Sequence, residues 1–126
     1  WLEITNLVVS GLNDDLDKIR QMCAWIKENL GPDTPIHFSR FWPQYKLTSL
    51  APTPLETLEK ARIVAQVQGL NFVYIGNVPG HPAESTYCPK CKKPVIVRRG
   101  YTILENNLTL EGNCKFCHYP IPGVWA

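Results

Sequence analysis

Over the first 80 positions the apolar residues switch repeatedly between two spacings. Trp1–Val9 (Trp-Leu-Glu-Ile-Thr-Asn-Leu-Val-Val) is rich in β-branched and apolar side chains and predicts a strand, with Ser10-Gly11-Leu12 as the turn that ends it. Leu16, Ile19, Cys23, Ile26 and Leu30 then recur at steps of three and four, which places them along one helical face. Asn13 stands where an N-cap is expected. Asp14, Asp15 and Asp17 suit the positive end of the helix dipole, and Gly31-Pro32 closes the helix. Cys23 falls on the apolar stripe and reads as a small buried hydrophobe.

Pro35–Phe41 predicts a second strand, with Ile36 and Phe38 alternating with His37 and Ser39. After a polar loop (Pro43–Pro52), Thr53-Pro54-Leu55-Glu56 has the form of a capping box with proline at the first helical position. Leu55, Leu58, Ala61, Val64 and Ala65 form the next helical stripe, ended by Gly69, and Asn71–Gly76 is a third strand. Asn77-Val-Pro-Gly-His-Pro82 is rich in chain breakers and predicts a linker, giving units 1–80 and 81–126. Strand, helix, strand, helix, strand with short connections is two consecutive βαβ units. The expected fold is therefore α/β, a parallel sheet with right-handed crossovers. Three strands are few for such a sheet, so it reads as the tail end of a larger α/β or barrel domain. Its edge would be open or paired with another copy.

The second unit carries different chemistry. Cys88-Pro-Lys-Cys91 and Cys114-Lys-Phe-Cys117 are two Cys-x-x-Cys pairs, the arrangement that places four thiolates at the corners of a tetrahedron around Zn²⁺. Val95-Ile-Val97 and Tyr101-Thr-Ile-Leu104, separated by Gly100, predict a β-hairpin between the pairs, hence a zinc ribbon. Iron in an S₄ site and two disulfides are the alternatives for Cys88, Cys91, Cys114 and Cys117. Four thiolates fill the coordination shell and leave no position for water, so the expected metal is structural.

Of 126 residues, 13 are Lys or Arg and 11 are Asp or Glu. The basic excess lies in the ribbon, in Lys90, Lys92, Lys93, Arg98, Arg99 and Lys115, too few to expect phosphate tracking along a nucleic acid. A free-standing ribbon module gripping nucleic acid or protein, with Tyr87, Tyr101, Phe116 and Tyr119 for stacking, is the competing reading. No apolar run approaches a membrane span, and without a leader the default compartment is the cytoplasm. The chain opens on Trp1 directly in a strand-like run, as a piece of a longer polypeptide would.

In α/β sheets chemistry collects at the carboxyl ends of strands, here Val9-Ser10-Gly11, Ser39-Arg40-Phe41-Trp42 and Gly76-Asn77. Alternation sends Glu3, Thr5, Leu7 and Val9 to one face and turns His37, Ser39 and Phe41 away from the helices. That face is polar enough to line a cavity, or to be a set of satisfied polar groups inside a packed sheet. No nucleophile–base set stands in recognisable spacing, and His37, His81 and His118 are isolated along the chain.

Taken together, Glu3-Ile-Thr-Asn-Leu-Val-Val-Ser-Gly-Leu-Asn-Asp-Asp15, His37-Phe-Ser-Arg-Phe-Trp-Pro-Gln-Tyr-Lys-Leu47, Gly76-Asn-Val-Pro-Gly-His81, the two cysteine pairs and Pro120-Ile-Pro-Gly-Val-Trp125 carry a resemblance. The chain resembles the carboxyl-terminal half of radical S-adenosylmethionine proteins related to pyruvate formate-lyase activating enzyme, in particular the AmmeMemoRadiSam system radical SAM enzymes. The resemblance implies a partial (βα) barrel that binds a [4Fe–4S] cluster and S-adenosylmethionine and generates a 5′-deoxyadenosyl radical against a substrate, a protein among the candidates. It further implies that Val9-Ser-Gly11-Leu-Asn-Asp14 is a version of the family's Ile-x-Gly-x-x-Glu adenine motif. Thr5, Val9, Gly11, His37, Ser39 and Arg40 then become the cofactor-binding candidates. Trp42 stands where activating enzymes often have a histidine. The Cys-x-x-x-Cys-x-x-Cys that holds the cluster is absent from these residues, so the implied radical activity belongs to a longer protein and no catalytic residue is expected here.

Overall fold

In the computed structural model, which describes residues 1–125, the chain divides into two compact units, Glu3–Val78 and a second unit that takes in the chain from Pro79 onward. The first alternates β1 (Ile4–Val8), α1 (Leu16–Leu30), β2 (Ile36–Arg40), α2 (Leu55–Val67) and β3 (Val73–Gly76). The three strands are parallel in the order β1-β2-β3. The register aligns Ile4 with Ile36 and Val73, Thr5 with His37 and Tyr74, and Leu7 with Ser39 and Gly76. The expected parallel α/β fold is thus present.

Burial follows the alternation. Val8, Ile36, Phe38, Val73 and Ile75 are buried with Ile19, Cys23 and Ile26 of α1 and Leu58, Ala61 and Ala65 of α2. Removing each large side chain of that set from water contributes roughly 1.5–3 kcal/mol. Residues of the opposite parity remain accessible: Thr5 and Leu7 are exposed, and His37, Ser39 and Tyr74 are half-buried. One face of the sheet is packed and the other is open.

Several local expectations are corrected by tertiary partners. Trp1–Glu3 and Val9 lie outside β1. Asp15, not Asn13, is the N-cap of α1; its Oδ1 accepts from the amides of Asp17 at 2.8 Å and Lys18 at 3.2 Å. Asn13 instead closes the β1–α1 turn, accepting from the Val9 amide at 2.7 Å and donating to the Leu7 carbonyl at 2.8 Å. The capping box does not form. Pro54 holds the cap position without a side-chain bond, and the fully buried Thr53 hydroxyl donates to the Val8 carbonyl at 2.5 Å. A buried carbonyl at a strand end needs a donor more than an exposed helix start does.

In the second unit Pro82–Glu84 forms one 3₁₀ turn, capped by His81 Nδ1, which accepts from the Ala83 amide at 3.0 Å. An antiparallel sheet follows in the order β4-β5-β6, made of β4 (Thr86–Tyr87), β5 (Pro94–Arg99) and β6 (Thr102–Asn106). Gly100, at φ +58°, opens the tight turn that pairs Arg99 with Thr102. The buried apolar side chains here are few (Ala83, Val95, Ile96, Leu108 and Ile121), and β6 is exposed along its whole length. Gly112, at φ +79°, is buried where a Cβ would come within 2.0 Å of the Trp125 indole. The indole nitrogen donates to the Ile121 carbonyl at 2.8 Å.

Candidate metal centre and strand-end site

The two cysteine pairs are built by the same turn used twice. The Lys92 amide donates to the Cys88 carbonyl at 2.9 Å, and the Cys88 amide donates to the Lys93 carbonyl at 2.9 Å. In the second pair the His118 amide donates to the Cys114 carbonyl at 2.8 Å, and the Cys114 amide donates to the Tyr119 carbonyl at 2.9 Å. Lys92 and His118, four residues after the first cysteine of each pair, both adopt the left-handed region, at φ +62° and +59°. His118 therefore occupies a turn position equivalent to that of a lysine.

The turns bring the Cys88, Cys91, Cys114 and Cys117 sulfurs within 4.8 Å of one another. Cys88 and Cys117 lie 3.6 Å apart and Cys91 and Cys114 lie 3.7 Å apart. A tetrahedron with metal–sulfur bonds of about 2.3 Å has edges of roughly 3.8 Å, so the donor set fits a closed S₄ metal site. All five cysteines are free thiols in this arrangement. Without metal the thiols are unequal. Burial pushes Cys88 up to about 12, while the Lys93 amide, followed by the neighbouring thiols, holds Cys91 down to about 7. A cation that charges all four thiolates offsets that burial cost. Cys23, outside the cluster, is fully buried, and burial raises its thiol to about 11, in line with a packing role.

Much of the ribbon's basic charge is engaged locally. Lys93 Nζ lies 4.8 Å from the Phe116 ring centroid, Lys115 Nζ donates to the Asn106 carbonyl at 3.0 Å, and Arg98 donates to the Thr86 hydroxyl at 2.6 Å.

In the first unit the six cofactor candidates fall into two groups. Thr5, His37 and Ser39 share the open face. There His37 Nε2 lies 2.8 Å from Glu3 Oε2 and the imidazole stacks on Tyr74 with centroids 4.7 Å apart. Tyr74 alternates with the apolar Val73 and Ile75, which is the sequence signal for its place on this face. Ser39 backs on Gly76, where a Cβ would lie 2.9 Å from its hydroxyl oxygen.

Val9, Gly11 and Arg40 lie elsewhere. Val9 is buried, and its carbonyl accepts from the amides of Leu12 and Asn13. Gly11, at φ +76°, donates its amide to Asp14 Oδ1 at 2.9 Å. Arg40 shares the parity of Ile36 and Phe38, and its Nε donates to the Thr53 carbonyl at 2.7 Å. Its guanidinium lies 4.3 Å from the Trp42 ring centroid. Asn77, at φ +60°, completes the cluster, donating to the Arg40 carbonyl at 3.1 Å and accepting from the Trp42 indole at 3.3 Å.

Comparison with known proteins adds one relative. Over 118 residues the chain is 49% identical to an uncharacterised protein of Methanocaldococcus jannaschii, a match that takes in 93% of this chain and 35% of that protein. The chain thus spans about a third of the length of the curated relative it matches. No family model matches the chain, and no solved structure matches it. No helix among the described residues is long and apolar enough to cross a membrane.

Proposed function

We propose that the chain is the carboxyl-terminal part of a cytoplasmic radical S-adenosylmethionine protein related to pyruvate formate-lyase activating enzyme. In this reading it supplies three strands to a (βα) barrel and a structural zinc ribbon. The observation that carries the barrel part is the asymmetry of the parallel sheet. One face is packed under α1 and α2, and the other presents a polar row of Thr5, His37 and Tyr74 with Ser39 beside it. A sheet of a free-standing doubly wound domain would bury both faces, whereas a segment of a barrel keeps one face for the interior. The match to a third of a longer relative supports the same reading.

When bound, S-adenosylmethionine would supply radical chemistry for hydrogen abstraction, together with a [4Fe–4S] cluster that residues outside this chain would hold. This chain's part is to line and position. Thr5, His37 and Ser39 would face the nucleoside from the sheet, His37 being oriented by Glu3 and Tyr74. Gly11 and the Asp14 carboxylate would shape the turn after β1, where adenine is expected.

Zinc is the metal proposed for the ribbon. Four thiolates at near-tetrahedral spacing suit it, and the closed shell makes it structural rather than catalytic. The test of the whole reading uses the longer natural polypeptide that contains this segment, reconstituted with iron and sulfide and supplied with dithionite and S-adenosylmethionine. Formation of 5′-deoxyadenosine supports the proposal; a full-length protein that holds no iron–sulfur cluster contradicts it. The 126-residue chain alone is expected to form none.

A further inference from the structure

We propose that Arg40 is the anchor of a carboxylate-binding subsite at the carboxyl end of the parallel sheet. Three observations converge there. First, the guanidinium is held from two directions: Nε donates to the Thr53 carbonyl at 2.7 Å, and its central carbon lies over the Trp42 ring, 4.3 Å from the centroid. Second, its surroundings are fixed by the strand ends themselves. Thr53 ties the end of β1 through the Val8 carbonyl and accepts Arg40, its amide donates to the Phe41 carbonyl at 3.1 Å, and Asn77 bonds to both Arg40 and Trp42. Third, the charge has no counter-ion among the described residues. The ion pairs among the described residues join Arg20 to Asp17, His37 to Glu3 and Lys60 to Glu56, and Arg40 enters none of them.

An arginine bonded at Nε and packed over an indole ring has already lost much of the side-chain freedom that binding would otherwise cost. Its two terminal nitrogens form no hydrogen bond to the described residues, leaving a fork whose spacing matches the two oxygens of a carboxylate. Trp42 is 44% exposed and offers an apolar wall beside that fork. A buried hydroxyl without a hydrogen-bond partner, Ser10 Oγ, lies two residues past Val8, which pairs in register with Arg40.

The chemistry selects carboxylate over phosphate. Among the described residues that bond to Arg40 or stack on it there is no second Lys or Arg, and phosphate sites gather several donors and more positive charge. One planar monoanionic group suits one planar cation. The subsite does not depend on the radical S-adenosylmethionine reading, since its residues are placed by the sheet alone. Two sources of carboxylate are compatible with it, the methionyl group of the cofactor and a carboxylate of the substrate.

The test is NMR titration of the metal-loaded 126-residue chain, labelled with ¹⁵N, following the Arg40 Nε–H and Trp42 indole N–H signals at constant ionic strength. The probes are succinate, methionine, inorganic phosphate and chloride. Saturable shifts of both signals with succinate or methionine, and none with phosphate or chloride, are expected. Response to succinate alone assigns the carboxylate to the substrate, and response to methionine alone assigns it to the cofactor. Arg40→Lys keeps the charge but loses the fork and should weaken the response at least about tenfold. Trp42→Leu leaves the Nε anchor in place and should weaken it severalfold. Unchanged Phe38 and Ile75 amide signals establish that each variant is folded. Equal response to phosphate, no saturation with either carboxylate, or full binding by Arg40→Lys would overturn the subsite. Formation of 5′-deoxyadenosine by the reconstituted longer protein, whatever these titrations show, would leave the proposed function standing.

Discussion

Between β1 and β3 the fully buried side chains include Phe38, Ile26, Ile36, Leu58 and Ile75, whereas the ribbon's are Val95 and two of its own thiols, Cys88 and Cys114. The first unit closes on apolar surface shared by a sheet and two helices, and the order of its elements follows from hydrophobic period. The ribbon replaces that core with four clustered cysteines and two matching turns, and it leaves β6 exposed. The lesson is that neighbouring segments of one chain can fold on different physics. Damage to one kind of support should not look like damage to the other.

The largest expected effect is Cys114→Ser. Structural zinc contributes on the order of 10 kcal/mol or more to small S₄ modules. The variant should therefore lose metal and the dispersed amide signals of Val95, Ile96 and Leu108 while the Phe38 and Ile75 signals persist. Collapse of both units together would break the comparison. Next comes Phe38→Ala, which opens a cavity under α1 and α2 and should cost the first unit about 3–5 kcal/mol in denaturant unfolding with metal content unchanged.

Gly112→Ala should follow at about 1–3 kcal/mol, since it strains a left-handed backbone and drives a methyl into Trp125. Its cost should appear as weaker metal retention under chelator challenge, and an unaffected variant would show that Trp125 yields freely. Thr53→Val should cost about 1–3 kcal/mol by leaving the Val8 carbonyl unpaired, read as faster amide exchange at the ends of β1 and β2.

Glu56→Gln should have the smallest effect. The hydrogen bond and charge of Lys60 lower the Glu56 pKa in the folded state. Its contribution is therefore present above the unfolded value near 4.3 and lost as pH falls through the lower folded value. The pair is exposed, so the substitution should only flatten the acid limb of the stability profile slightly.

How far the sequence was legible follows the same division. The three strands and two helices announce themselves because Ile36 and Phe38, or Ile19, Cys23 and Ile26, repeat with the period of the face they bury. The cysteine cluster is legible because its spacing is its chemistry. What the pattern could not place were polar residues whose partners lie far along the chain. Thr53 reads as a cap by its neighbours but bonds to Val8, 45 residues earlier. Asn77 reads as a linker but holds Arg40 and Trp42. His37 was readable as facing away from the helices, but its stacking on Tyr74 required the parallel register.

The most direct test of the central claim, that the second unit is built on a metal and not on a core, is metal analysis with intact mass on the purified chain. The account predicts about one zinc per chain, four thiols released on chelation, and a first unit that stays folded when the metal leaves. A metal-free chain four hydrogens lighter, with its thiols paired as disulfides, would contradict it.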